Sequence, residues 1–141
     1  MKRRIYVDGI FDLFHKGHVM HFKDMKELDN EDNYLIVGII SDKDAKDYKR
    51  LPIYNQENRK ILVESCRYVD EIIENAPLIV DQKFIEENKI DLVCHGFLNE
   101  NDVNKQEKFF EIPKKMNKFR AVNYHLGIST TDIIKNIKKN Y

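Results

Sequence analysis

Two histidines three positions apart, His15 and His18, bracket Lys16-Gly17 and follow Asp8-Gly9 at the end of a short apolar run. A neutral imidazole offers one donor and one acceptor nitrogen and titrates near neutral pH, so such a pair suits acid–base work, metal ligation or anion binding. Gly9 permits a sharp turn where the backbone approaches a ligand. If Gly17 opens a helix, His18 lies in its first turn and both rings face free backbone amides, whose dipole favours a phosphate. Metal chelation by His15, His18 and His21 is the competing chemistry. No carboxylate or cysteine at helical distance completes that set, so no metal is assigned to the protein's own side chains. Further along, Ser129-Thr130-Thr131-Asp132 has the form of a capping box with Ser129 as N-cap, and Gly127 supplies the turn before it. That second helix end also offers amides and hydroxyls to an anion.

These residues need a scaffold, and the apolar runs describe one. Ile5–Val7, Tyr34–Ile40, Glu71–Ile73, Ile90–Cys94 and Arg120–Val122 read as strands, unalternating in the manner of strands buried on both faces. Helical candidates lie at 18–29, 55–67, 81–88, 104–117 and 129–139, with Pro113 expected to break or kink the fourth. The alternation predicts an α/β fold, a Rossmann-like, doubly wound, five-stranded parallel sheet with helices on both faces. Residues 1–141 are expected to form a single domain. Ligands of such folds sit beyond the carboxyl ends of the strands, which points to the segments after Val7, Ile40, Cys94 and Val122.

Composition narrows the function. With 24 basic and 24 acidic residues the net charge is zero, which argues against a general nucleic-acid coat. No apolar run approaches the length of a membrane span, and MKRRIYVDG leads into a strand instead of a signal-peptide core. Cys66 and Cys94 have neither metal-ligand spacing nor a disulfide framework, and a reduced, cytoplasmic setting is expected.

Gly9-Ile10-Phe11-Asp12-Leu13-Phe14-His15-Lys16-Gly17-His18 resembles the G-x-F-D-x-x-H-x-G-H element of the cytidylyltransferases. Tyr124-His125-Leu126-Gly127-Ile128-Ser129-Thr130-Thr131 is similar to the family's R-T-E-G-I-S-T-T, and Arg59 with Arg67–Glu71 resembles its E-x-R and R-Y-V-D-E segments. The likeness is greatest to the phosphocholine and phosphoethanolamine enzymes, with the glycerol-3-phosphate enzyme more distant. It implies attack of a phosphomonoester oxygen on the α-phosphorus of CTP, assisted by Mg²⁺, to give a CDP-alcohol and pyrophosphate. A regulatory nucleotide-binding module that has lost catalysis, and an adenylyltransferase of the same fold, are the alternatives.

The same resemblance implies roles. His15 and His18 would donate to the triphosphate, and Lys49 would bridge the phosphates of both substrates. Gly9, Ile10 and Phe11 would present backbone to the nucleotide, Arg59 would complete the phosphate clamp, and His95 would face cytidine. Gly127, Ile128, Ser129 and Thr130 would hold nucleotide at the second helix end. Asp8 is the expected partner for a substrate ammonium group, and Tyr124 lies on the substrate side. Because the chain has no Trp for an aromatic cage, the order of substrates is phosphoethanolamine, phosphocholine, glycerol 3-phosphate. Tyr124 stands where the family has its triphosphate arginine, a contact commonly worth about 10²–10³ in rate, and Arg120 or His125 would have to replace it. The long amphipathic membrane helix of the phosphocholine enzymes has no counterpart before Tyr141, so lipid-independent activity is expected. The final helix, with Ile133, Ile134 and Ile137, should pack on the core. Arg67–Glu71 implies a homodimer by analogy.

Overall fold

A computed structural model describes residues 1–125 and 127–141. Five parallel strands form the sheet: β1 (Arg4–Gly9), β2 (Tyr34–Ile39), β3 (Glu71–Ile73), β4 (Leu92–Gly96) and β5 (Phe119–Val122), in the order β3-β2-β1-β4-β5. The chain winds outward from β1 on one side and from β4 on the other, so the strand order reverses between these two. That is the switch point where an open α/β sheet leaves a crevice. The helices are α1 (Lys16–Lys26), α2 (Asp42–Tyr48), α3 (Gln56–Glu64), α4 (Gln82–Glu87), α5 (Glu100–Gln106), α6 (Glu111–Lys115) and α7 (Thr130–Asn140).

Strand side chains alternate between faces, and both faces are apolar, which is why the strands read as continuous runs. Ile5, Val7, Leu35, Val37, Ile39 and Cys94 pack with Phe22 and Met25 of α1 and Val63 of α3. Tyr6, Ile36 and Val93 pack on the opposite face with Ile85 of α4 and with Phe109 and Phe110. Helices thus cover both faces, as the apolar pattern predicts.

Three helical expectations are corrected. Helix α2 was not anticipated, because Asp42–Tyr48 buries only Ala45 and carries no apolar stripe. The single helix expected over 104–117 is α5, a 3₁₀ turn (Glu107–Phe109) and α6. The break falls at Phe110, and Pro113 sits in the first turn of α6, where its missing N–H leaves no bond unmade. Helix α7 buries none of its residues; Ile133 and Ile134 are half-buried and Ile137 is exposed.

Candidate active site

The turn after β1 is built from its own side chains. His15 is the N-cap of α1: its Nδ1 accepts from the Gly17 amide at 3.0 Å, while the His15 amide donates to Nδ1 of His18 at 3.2 Å. Each imidazole therefore has its Nδ1 deprotonated and its proton on Nε2. The rings stack with centroids 3.7 Å apart, an approach that two imidazolium ions would resist. Burial, with His15 and His21 beside it, pushes His18 down to about 3, and burial also lowers His15. The pair is neutral, stacked and presents two Nε2–H donors. A Cβ on Gly17 would stand 2.9 Å from Cε1 of His15, so only glycine fits beneath that ring.

Phe11 and Leu13 hold left-handed backbone, φ 55° and 48°, a conformation that surrounding structure must impose on a residue with a Cβ. Phe11 turns its ring inward against His18 and Phe22 and leaves backbone at the cavity wall. Its ring also lies 2.7 Å from where a Cβ of Gly9 would be, which accounts for that glycine. Asp12 fixes the turn to two distant segments. Its buried carboxylate accepts from the amides of Leu13, Ile53 and Tyr54, and its carbonyl accepts the Thr130 hydroxyl at 2.7 Å. Asp12 had no role assigned from sequence, although it lies inside the first motif.

These residues border an open cavity of about 630 Å³ beyond the carboxyl ends of β1 and β4. Its wall includes Asp8, Gly9, Ile10, Phe11, His15, His18, Lys49, His95, Tyr124, Gly127, Ile128, Ser129 and Thr130. Of the catalytic, nucleotide and substrate residues expected from the sequence, Arg59 is absent from that wall. That side chain is fully buried behind the wall, donating to the carbonyls of Ile10 (2.7 Å) and Tyr54 (3.0 Å) and to the Asp42 carboxylate (2.7 Å). It braces the backbone of the site turn and offers nothing to a phosphate. Thr130 is likewise adjusted: its hydroxyl proton goes to Asp12, and its amide is the donor that remains. Ser129 caps α7 by accepting from the Asp132 amide, as its pattern predicts. Gly127 has φ 98°, the reason for glycine at that turn.

Neither expected stand-in for the signature arginine serves. Arg120 holds Asp29 at 2.9 and 3.0 Å, and His125 Nε2 lies 2.7 Å from Asp24. Tyr124, an exposed side chain, stays a protonated phenol, since partial desolvation and then Asp102 and Asp132 raise its pKa. Lys49 ends α2 with its ammonium pKa lowered by burial and by Arg50 and Lys105, against the pull of Asp102. Formal charge on the wall balances, with Lys49, Arg50, Lys105 and Lys135 against Asp8, Asp12, Asp102 and Asp132. Attraction for an anion thus rests on placement: Nε2–H groups and helix amides, with Asp12 already saturated by backbone donors. Asp8, its side chain 8% exposed, has no hydrogen-bond partner for its carboxylate among the described residues, and His95 Nδ1 lies 3.7 Å from Oδ1.

The profile of the cytidylyltransferase-like family matches residues 6–136. The chain belongs to the cytidylyltransferase-like family. It is 38% identical to human choline-phosphate cytidylyltransferase A over 138 residues, covering 98% of this chain and 37% of that protein. The ethanolamine-phosphate cytidylyltransferase of Arabidopsis thaliana is 39% identical over 143 residues, covering 99% of this chain and 33% of the relative. A probable ethanolamine-phosphate cytidylyltransferase of Encephalitozoon cuniculi is 36% identical over 132 residues, 94% of this chain and 40% of that one. The cytidylyltransferase-like chain thus spans well under half the length of these relatives. Among solved structures, the lipopolysaccharide core biosynthesis protein of Thermoplasma volcanium shares the fold with a TM-score of 0.67 at 24% identity, over 89% of this chain and 99% of the other.

Proposed function

We propose that this cytidylyltransferase-like chain transfers CMP from CTP to a phospho-alcohol, phosphoethanolamine first. The carrying observation is the stacked His15–His18 pair, two neutral imidazoles locked with Nε2–H outward at the sheet's switch point. A phosphomonoester oxygen attacks the α-phosphorus of CTP, the bond to the bridging oxygen breaks, and pyrophosphate leaves with that electron pair. Nothing on the protein need become covalent; donors held where charge grows lower the barrier. His15 and His18 donate to the α-phosphate oxygens, and the ammonium of Lys49 lies between the two substrates' phosphates. Thr130 and Thr131, whose amides find no acceptor within α7, receive the outer phosphates.

Mg²⁺ neutralises triphosphate charge when bound. Among the described residues no three His, Cys, Asp or Glu side chains gather as a metal-holding group. Asp8 would take the substrate's primary ammonium, whose N–H groups satisfy an otherwise unpartnered carboxylate. Phosphocholine is the second reading, because Tyr48, Phe109 and Phe110 also line the cavity and suit a quaternary ammonium. A homodimer and a cytoplasmic location complete the proposal, on the resemblance of Arg67–Glu71 and on the free thiols Cys66 and Cys94. No helix among the described residues is long and apolar enough to cross a membrane.

Incubating the purified chain with each labelled nucleoside triphosphate, Mg²⁺ and a panel of phospho-alcohols tests the reading. Pyrophosphate release is expected with CTP and fastest with phosphoethanolamine. Binding of CTP without pyrophosphate from any acceptor would make the chain a regulatory module, and turnover with ATP alone would make it an adenylyltransferase.

A further inference from the structure

The arginines of the chain are Arg3, Arg4, Arg50, Arg59, Arg67 and Arg120. All but one have settled partners. Arg3 and Arg120 share Asp29, Arg4 holds Glu71, Arg59 is buried on Asp42, and Arg67 donates to the Tyr68 hydroxyl. Arg50 differs. It is half-buried on the cavity wall, and among the described residues its guanidinium makes no ion pair and one hydrogen bond, from Nη1 to Thr131 Oγ1 at 3.4 Å. Thr131 lies 81 positions away in the first turn of α7. Asp132, exposed on the same turn, forms no ion pair with the guanidinium among the described residues. Arg50 therefore brings a permanently charged, planar set of donors to the helix end whose amides are open. Arg120 and His125, the residues nearest in sequence to Tyr124 that carry suitable donors, are held by Asp29 and Asp24.

We infer that Arg50 is the arginine that grips the terminal phosphates of the nucleotide, supplying from the loop after α2 the contact that Tyr124 does not. The inference rests on the triphosphate reading of the cavity. It divides the site: the imidazoles and Lys49 serve the reacting phosphorus, while Arg50 and the start of α7 hold the pyrophosphate that departs.

Calorimetric titration of the purified chain with CTP, CMP and inorganic tripolyphosphate tests it, in wild type, Arg50→Ala, Arg50→Lys and Arg50→Ala/Tyr124→Arg. Arg50→Ala should weaken CTP and tripolyphosphate by roughly 10- to 100-fold, the range for one charged hydrogen-bonding group, and CMP by less than about twofold. Arg50→Lys should recover part of the loss. Tyr124→Arg in the Arg50→Ala background should recover more, because it returns a guanidinium to the same phosphates. Equal losses for CMP and CTP would show a damaged loop and overturn the inference, as would no loss for either. If the wild type binds tripolyphosphate but no cytidine nucleotide, the cytidylyl reading fails while tripolyphosphate still reports on Arg50. Wild-type protein that binds none of the three overturns the inference as well.

Discussion

The turn from Asp8 to His18 and the residues Asn123–His125 and Gly127–Thr131 border one cavity and are held differently. The first carries fastenings of its own, His15 capping the helix it precedes and His18 receiving the His15 amide, beside two outside braces: the Ile53 and Tyr54 amides on Asp12, and Arg59 on the Ile10 carbonyl. Its left-handed backbone at Phe11 is locked by that residue's own ring, packed against His18 and Phe22. The second leans on other elements, through His125 to Asp24 on α1, Thr130 to Asp12, and Arg50 to Thr131. Tyr124 and Gly127 within it are exposed. Groups that stabilise developing charge work best when fixed before the ligand arrives. Groups that admit a triphosphate and release pyrophosphate work through contacts that are easily remade.

The most severe way to break the first region is His18→Ala. It should lower kcat/KM by about 10²–10³ while reducing CTP affinity far less, provided far-UV dichroism shows the fold retained. An equal fall in affinity and turnover would demote His18 to a ground-state contact. Asp12→Asn attacks the first region and its tie to Ile53 and Tyr54, because an amide cannot accept at both of its side-chain atoms. Unfolding in urea should show a loss of about 2–3 kcal/mol, and an unchanged midpoint would mean that this turn is held otherwise.

Acid sharpens the contrast next. His18 and His21 are held neutral in the fold, pushed down to about 3 and about 4, chiefly by burial. In the unfolded chain both protonate near the ordinary imidazole value, so between about pH 6.5 and 5 the unfolded state binds more protons and stability falls as pH drops. Each group contributes up to about 1.4 kcal/mol per pH unit. A flat stability profile over that window, followed by dichroism, would contradict the neutrality of His18 and His21. The smallest effect belongs to Asp24→Asn, which removes the exposed partner of His125. Stability should change by less than about 1 kcal/mol, with faster amide hydrogen exchange at Tyr124 and His125 and none at His15 or His18.

How far the sequence reached follows the same divide. The strands were legible because each is an unbroken apolar run, and the His15–His18 turn because its residues bond to one another within a few positions. Helix α2 was not, since its one buried residue, Ala45, leaves no periodic stripe. Arg59 was misplaced because its partners, the Ile10 carbonyl and Asp42, are distant in sequence and only the fold brings them to one guanidinium. Arg50 and Asp12 escaped for the same reason, their partners lying 81 and 41 positions off.

The chain contains five histidines, and all of them, His15, His18, His21, His95 and His125, line the same cavity. Its imidazole NMR resonances therefore carry no background from elsewhere in the protein. Nitrogen-15 spectra of the rings alone would display tautomer, protonation and ligand arrival as a private record of the site.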